Sequence, residues 1–126
     1  MTVKQPRLVA AGAINGAVAV AAGAFAAHAL RGSVDDHALG VFETGARYHM
    51  YHALAMVLAG AVGARSSAWI FQLGIVLFSG SLYLLAAADV HAMVFVTPFG
   101  GAAFIAGWIC LAICAVKAAK VTASSG

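Results

Sequence analysis

The stretch Leu8–Leu30, LVAAGAINGAVAVAAGAFAAHAL, decides the fold. No charged side chain interrupts it, and at helical rise it is about 35 Å long, enough to cross a bilayer with some tilt. Lys4 and Arg7 precede it and Arg31 follows it. The basic start and the Ala27-His28-Ala29 triplet imitate a cleavable signal peptide. The apolar part, however, is far longer than the about 7–15 residues of such a segment, so the run is expected to be retained as a transmembrane helix. It is rich in small residues. Gly12 and Gly16 stand four apart, and Ala19, Gly23 and Ala27 continue that spacing. Small residues on one face let helix backbones approach closely, which predicts a helix inside a bundle rather than one facing lipid. Asn15 is its one strongly polar residue and is expected to hydrogen-bond to another helix.

The rest of the chain agrees with a membrane setting. Of its 126 residues 63% are hydrophobic and 9% charged, and the mean hydropathy is +0.97. Soluble domains carry about 25% charged residues, and a small soluble domain could not hide this much apolar surface. The net charge of +3 does not point to nucleic acid, because the basic residues are dispersed at the ends of the apolar runs. Cys110 and Cys114, four apart in the last run, are expected to be small packing residues.

Outward from the first run, Gly32-Ser33 breaks the helix. Asp35 and Asp36 suit the first turn of the next one. Leu39, Phe42 and Ala46 recur at helical spacing, which predicts a short amphipathic helix over 35–44 lying at the membrane interface. A second span is expected over 45–64, with Arg47 in its first turn, where its charge can reach the interface. Arg65-Ser66-Ser67 makes a turn. A third span covers 68–88 and a fourth 93–116, with Pro98 in its first turn. The expected fold is therefore all-α: one membrane domain over 1–126, a four-transmembrane-helix bundle with an interfacial helix between spans one and two. Short connections make spans two, three and four antiparallel neighbours. Lys4, Arg7, Arg65, Lys117 and Lys120 fall at one end and only Arg31 and Arg47 at the other. The basic end faces the cytoplasm, which gives an N-in, C-in arrangement in a bacterial inner membrane.

All four acids and all five histidines lie within Ala27–His52 or Asp89–His91. The topology gathers them at one end, as an extracytoplasmic polar cap built from His28, Glu43, Arg47, Tyr48, His52, Ser79, Ser81, Tyr83, Asp89 and His91. Arg47 can pair there with Glu43, one turn before it, or with Asp89. His28, His49, His52 and His91 are the only candidates for a metal site. The spacing is not that of a metal motif: there is no HExxH, no Glu-x-x-His and no Cys-x-x-Cys. No cofactor is expected. Nothing resembles a nucleophile elbow, so no catalytic residues are expected either.

Four segments carry a resemblance: Gly23–Leu30 (GAFAAHAL), Phe42–Leu54 (FETGARYHMYHAL), Leu77–Tyr83 (LFSGSLY) and Thr97–Gly101 (TPFGG) with Gly107-Trp108. In this order they resemble the domain of unknown function 423 family, small inner-membrane proteins of the YgdD/YwdK type, over nearly the whole chain. The resemblance implies a four-helix inner-membrane protein and no particular activity. It stresses His28, Arg47, Tyr48, His52, Ser79, Ser81, Tyr83 and Pro98, whereas His49 stands where the family pattern leads us to expect Gln. Two functions follow as expectations. One is a non-enzymatic packing subunit, in contact with membrane lipids, that self-associates or joins a larger membrane complex through faces such as Gly12, Gly16, Gly23 and Gly107. The other is a carrier or channel for a proton, a metal ion or a small polar solute, with a polar cavity running from the cap toward Asn15.

Overall fold

A computed structural model describes residues 2–126, and every element in it is helical. Helix α1 is Pro6–Leu30, whose last five residues widen into a π-turn. Helix α2 is Asp36–Val62. Helix α3 is Arg65–Ala87, interrupted by a second π-turn at Ile75–Ser79. A 3-10 turn over His91–Phe95 leads into α4, Thr97–Ser125, with Pro98 in its first turn as expected. Three of the stretches, Pro6–Leu30, Arg65–Ala87 and His91–Ser125, are long and apolar enough to cross a membrane.

The expected interfacial helix over 35–44 and the span over 45–64 are one continuous α2. Asp35 caps it, its carboxylate accepting a hydrogen bond from the Ala38 amide at 2.7 Å. The stripe that begins with Phe42 runs on through Ala46, His49, Ala53, Met56 and Gly60, all buried. Phe42 does not lie on lipid. It packs with Ala26 and Leu30 of α1 and Ala86 of α3. With one stripe buried from end to end, nothing in the sequence breaks the helix at Thr44-Gly45. Gly63, at φ +87°, then closes it in the left-handed conformation that glycine adopts without steric cost.

The position of α1 also differs from expectation. It packs almost wholly against α2, at the flank of the molecule. Only 17% of the most apolar stretch of α1 and of α4 is buried, against 39% in α3. The helices follow the order α1–α2–α3–α4, with α2 and α3 in the middle. Small residues set the contacts. A Cβ on Gly12 would stand 2.8 Å from the Val57 backbone nitrogen of α2, and one on Gly60 would stand 2.9 Å from that of Val9 in α1. Between α3 and α4 the pairing is also reciprocal: Gly74 receives the Phe104 ring, and Gly107 receives the Phe71 ring, which lies 2.6 Å from where a Cβ would stand. Gly12 and Gly107 thus lie at close helix–helix contacts. A Cβ on Gly16 would meet only the Met50 sulfur, at 4.0 Å, and one on Gly23 would meet nothing within 4 Å.

Candidate functional site

The polar residues do not form one layer. Two buried histidines on α2 organise two separate centres, and the rest of the expected cap lies on the surface.

The first centre is a chain of hydrogen bonds across α1, α2 and α3. The Asn15 amide nitrogen donates to the Ala11 carbonyl at 3.0 Å and to Gln72 Oε1 at 2.8 Å. A carbonyl can only accept, so the amide nitrogen must face that side and Oδ1 must face α2. There Oδ1 lies 3.0 Å from His49 Nε2, which therefore carries a proton and donates it. His49 Nδ1 is left as the acceptor, 2.9 Å from the Tyr83 hydroxyl. The chain thus runs one way: Tyr83 donates to His49, His49 to Asn15, and Asn15 to Gln72. The interhelical bond expected of Asn15 is present. Gln72 went unmarked in the sequence, although it is the only amide side chain in its apolar run.

The second centre is His52. Its Nδ1 donates to the Tyr48 carbonyl at 2.7 Å, and its Nε2 accepts from the Trp108 indole N–H of α4 at 3.1 Å. Both partners are of fixed kind, so the ring is neutral with its proton on Nδ1. The imidazole lies flat on Phe104, with centroids 3.5 Å apart and planes at 5°. Phe71 and Trp108 flank it. This is the tie between α2 and α4, whose backbones otherwise stay apart.

That separation leaves an open seam with two grooves. The upper one, about 510 Å³, lies beside His52 and is lined by Tyr48, Tyr51, Phe78, Ile105 and Trp108 among others. The lower one, about 780 Å³, is bounded by Leu58, Ala61 and Val62 of α2 and Leu111, Cys114 and Ala118 of α4. Lys4 is its one charged side chain.

The remaining cap residues divide by depth. Ser79 in the π-turn is buried and donates to the Gly45 carbonyl of α2 at 2.7 Å. The π-turn leaves backbone geometry irregular at the point where α3 crosses α2. Ser81, also buried, shares a 2.6 Å hydrogen bond with Thr97 at the start of α4. His28, Arg47, Asp89 and His91 are exposed, Glu43 is half-buried, and Tyr48 is 39% exposed. Among the described residues the only contact of salt-bridge length joins His91 Nε2 to Asp89 at 3.0 Å, out on the surface. Arg47 pairs with neither Glu43 nor Asp89. Among the described residues no three His, Cys, Asp or Glu side chains stand close enough to hold a metal ion. His28, His49, His52 and His91 occupy four different surroundings.

Comparison with known proteins places this architecture. Residues 22–101 match the family model described as "Protein of unknown function (DUF423)". The chain is 45% identical over 114 residues to the UPF0382 membrane protein YwdK of Bacillus subtilis (strain 168), covering 84% of this chain and 93% of that protein. It is 42% identical over 112 residues to the UPF0382 inner membrane protein YgdD of Escherichia coli (strain K12), covering 83% and 86%. No solved structure matches. The chain belongs to the DUF423 family, and with its apolar helices it is a multi-pass protein of the cell membrane.

Proposed function

We propose that this DUF423 member is a non-enzymatic helical subunit, embedded by four spans, that associates through its outer faces with further copies or with a larger membrane complex. The observation that carries the reading is the internal use of its buried polar side chains, Ser67 Oγ alone among the described residues being without a partner. Both ring nitrogens of His49 and of His52 are hydrogen-bonded to the protein, as are Asn15, Ser79, Ser81 and Tyr83. Among the described residues no three His, Cys, Asp or Glu side chains come together as a ligand set. The flanking helices, by contrast, present apolar side chains outward: Ile14, Val18 and Val20 on α1, and Ile105, Ile109 and Ile113 on α4.

The fourth span in this reading is α2. Its 27 residues cover about 40 Å, more than a hydrocarbon core. It lies between two apolar helices, so it must cross with them. Its charged first turns then emerge on the side of Asp89, opposite Lys4, Arg65 and Lys117, and the basic excess sets an N-in, C-in arrangement. The carrier or channel reading calls for a polar cavity toward Asn15. Asn15 instead gives its hydrogen bonds to protein groups, and the grooves along the α2–α4 seam are apolar. A relay of protons along Tyr83–His49–Asn15–Gln72 would also have to pass two amides, which hold their protons far more tightly than imidazole does. Native mass spectrometry of gently solubilised protein at native expression tests the proposal. It should show an oligomer or a second protein; a lone chain carrying only lipid would refute the subunit role.

A further inference from the structure

We infer that the lower groove of the α2–α4 seam is a binding site for one anionic phospholipid, with an acyl chain between the helices and the phosphate at Lys4. The inference rests on the four-span reading above but not on the subunit role.

The groove is the larger of the two along the seam, about 780 Å³. Along α4 it extends from Leu111 to Ala118, about 10 Å at helical rise. Its walls are aliphatic or sulfur-bearing, with no hydrogen-bonding side chain between Leu58 and Cys114 to favour a polar solute. An acyl chain suits that surface. Small side chains at Ala61, Cys114, Ala115 and Ala118 leave the space that a larger residue would fill.

Charge then selects the lipid. Lys4 is the groove's only charged residue, and its side-chain carbons lie against Gly63 at the end of α2, which fixes the stem at the mouth. Gly63 is itself in the left-handed conformation, so a side chain is disfavoured there on two counts. Arg7, Arg65, Lys117 and Lys120 lie at this same end of the helices, whereas Asp35, Asp36, Glu43 and Asp89 all lie at the other. No Asp or Glu side chain lies at this end to compete for the ammonium. A basic rim above an apolar slot between transmembrane helices matches the two halves of an anionic lipid.

The test uses the full chain in mild detergent, offered phosphatidylglycerol and phosphatidylcholine in equal amounts, with retained lipid counted by native mass spectrometry. The wild type should retain phosphatidylglycerol about fivefold over phosphatidylcholine, the worth of one lysine at an anionic surface. Lys4→Gln should abolish the preference while leaving total lipid retention in place. Ala115→Phe, which fills the slot without altering charge, should reduce both lipids together at unchanged helicity. Inorganic phosphate should not displace the retained phosphatidylglycerol. Equal retention of the two lipids by the wild type overturns the inference. So do a preference that survives Lys4→Gln, a folded Ala115→Phe that still holds phosphatidylglycerol, and displacement by phosphate. Lys4 is exposed, so its variant decides the matter even if Ala115→Phe fails to fold. A lone chain that still selects phosphatidylglycerol would remove the subunit role and leave this site standing.

Discussion

Replacing Gly12 and Gly23 by alanine, one at a time, should move stability in opposite directions, although both belong to the same four-residue spacing on α1. A Cβ at Gly12 stands 2.8 Å from the Val57 nitrogen and 3.0 Å from the Ala53 carbonyl oxygen. Both are backbone atoms of α2, so no rotamer change relieves the overlap and the helices must move apart. The same interface is already set by Gly60 against Val9. Overpacking of this kind costs about 1–3 kcal/mol, and alanine's better helix propensity returns at most about 1 kcal/mol. Gly12→Ala should therefore lose about 1–2 kcal/mol. A Cβ at Gly23 meets no neighbouring atom within 4 Å, so only the propensity gain remains, about 0.5 kcal/mol or more in favour of the variant. The two should differ by about 2 kcal/mol, a factor of about 30 in the folding equilibrium. Reversible unfolding by SDS in mixed micelles, followed by far-UV circular dichroism, measures this. Equal effects at the two positions would refute the placement of α1 on α2, because they would mean that both glycines face the same neighbour.

Two further outcomes follow from the polar groups. In a double-mutant cycle, Asn15→Leu and Gln72→Leu should be coupled by about 0.6–1.7 kcal/mol, the range of interhelical hydrogen bonds in a membrane; strictly additive losses would break the chain. Arg47→Gln should change stability by no more than about 0.5 kcal/mol, as for other surface positions, and a loss above about 1.5 kcal/mol would give Arg47 a partner within the fold.

Three long apolar helices were legible because uncharged runs of membrane length leave little choice of structure. The boundary at Thr44 was not. Leu39, Phe42 and Ala46 form the same pattern whether their face meets lipid or protein, and only the packing of Phe42 on Ala26, Leu30 and Ala86 shows which it is. The stripe on α1 was misleading for a related reason. Small residues permit close approach, but their spacing does not say how many neighbours use it; here α2 alone meets Gly12. The polar cap was not legible: its residues were gathered by their place in the sequence, and the structure brings them to no single layer. Composition assigns an end, whereas depth depends on which face of a helix a residue occupies. His49 and His52 show this directly. Three residues apart, they differ by about 60° around the helix axis. That small rotation sends His49 to Asn15 and Tyr83, and His52 to Phe104 and Trp108 on the opposite flank.

The two histidines also explain how flanking helices with so little buried surface keep their places. Lipid tails are as apolar as the helix faces, so burial alone gives α1 and α4 little reason to stay against α2 and α3. Each has a directional tie instead. For α1 it is Asn15, which joins α2 through His49 and α3 through Gln72. For α4 it is Trp108, which donates to His52 across the open seam. An unmade hydrogen bond in the hydrocarbon layer costs more than in water, so each tie fixes helix register even where its net contribution to stability is small. Because α2 supplies both imidazoles, it orients the first and last helices at once. The outer faces of α1 and α4 are thus presented in a fixed relation to each other, which the proposed association with another membrane helix requires.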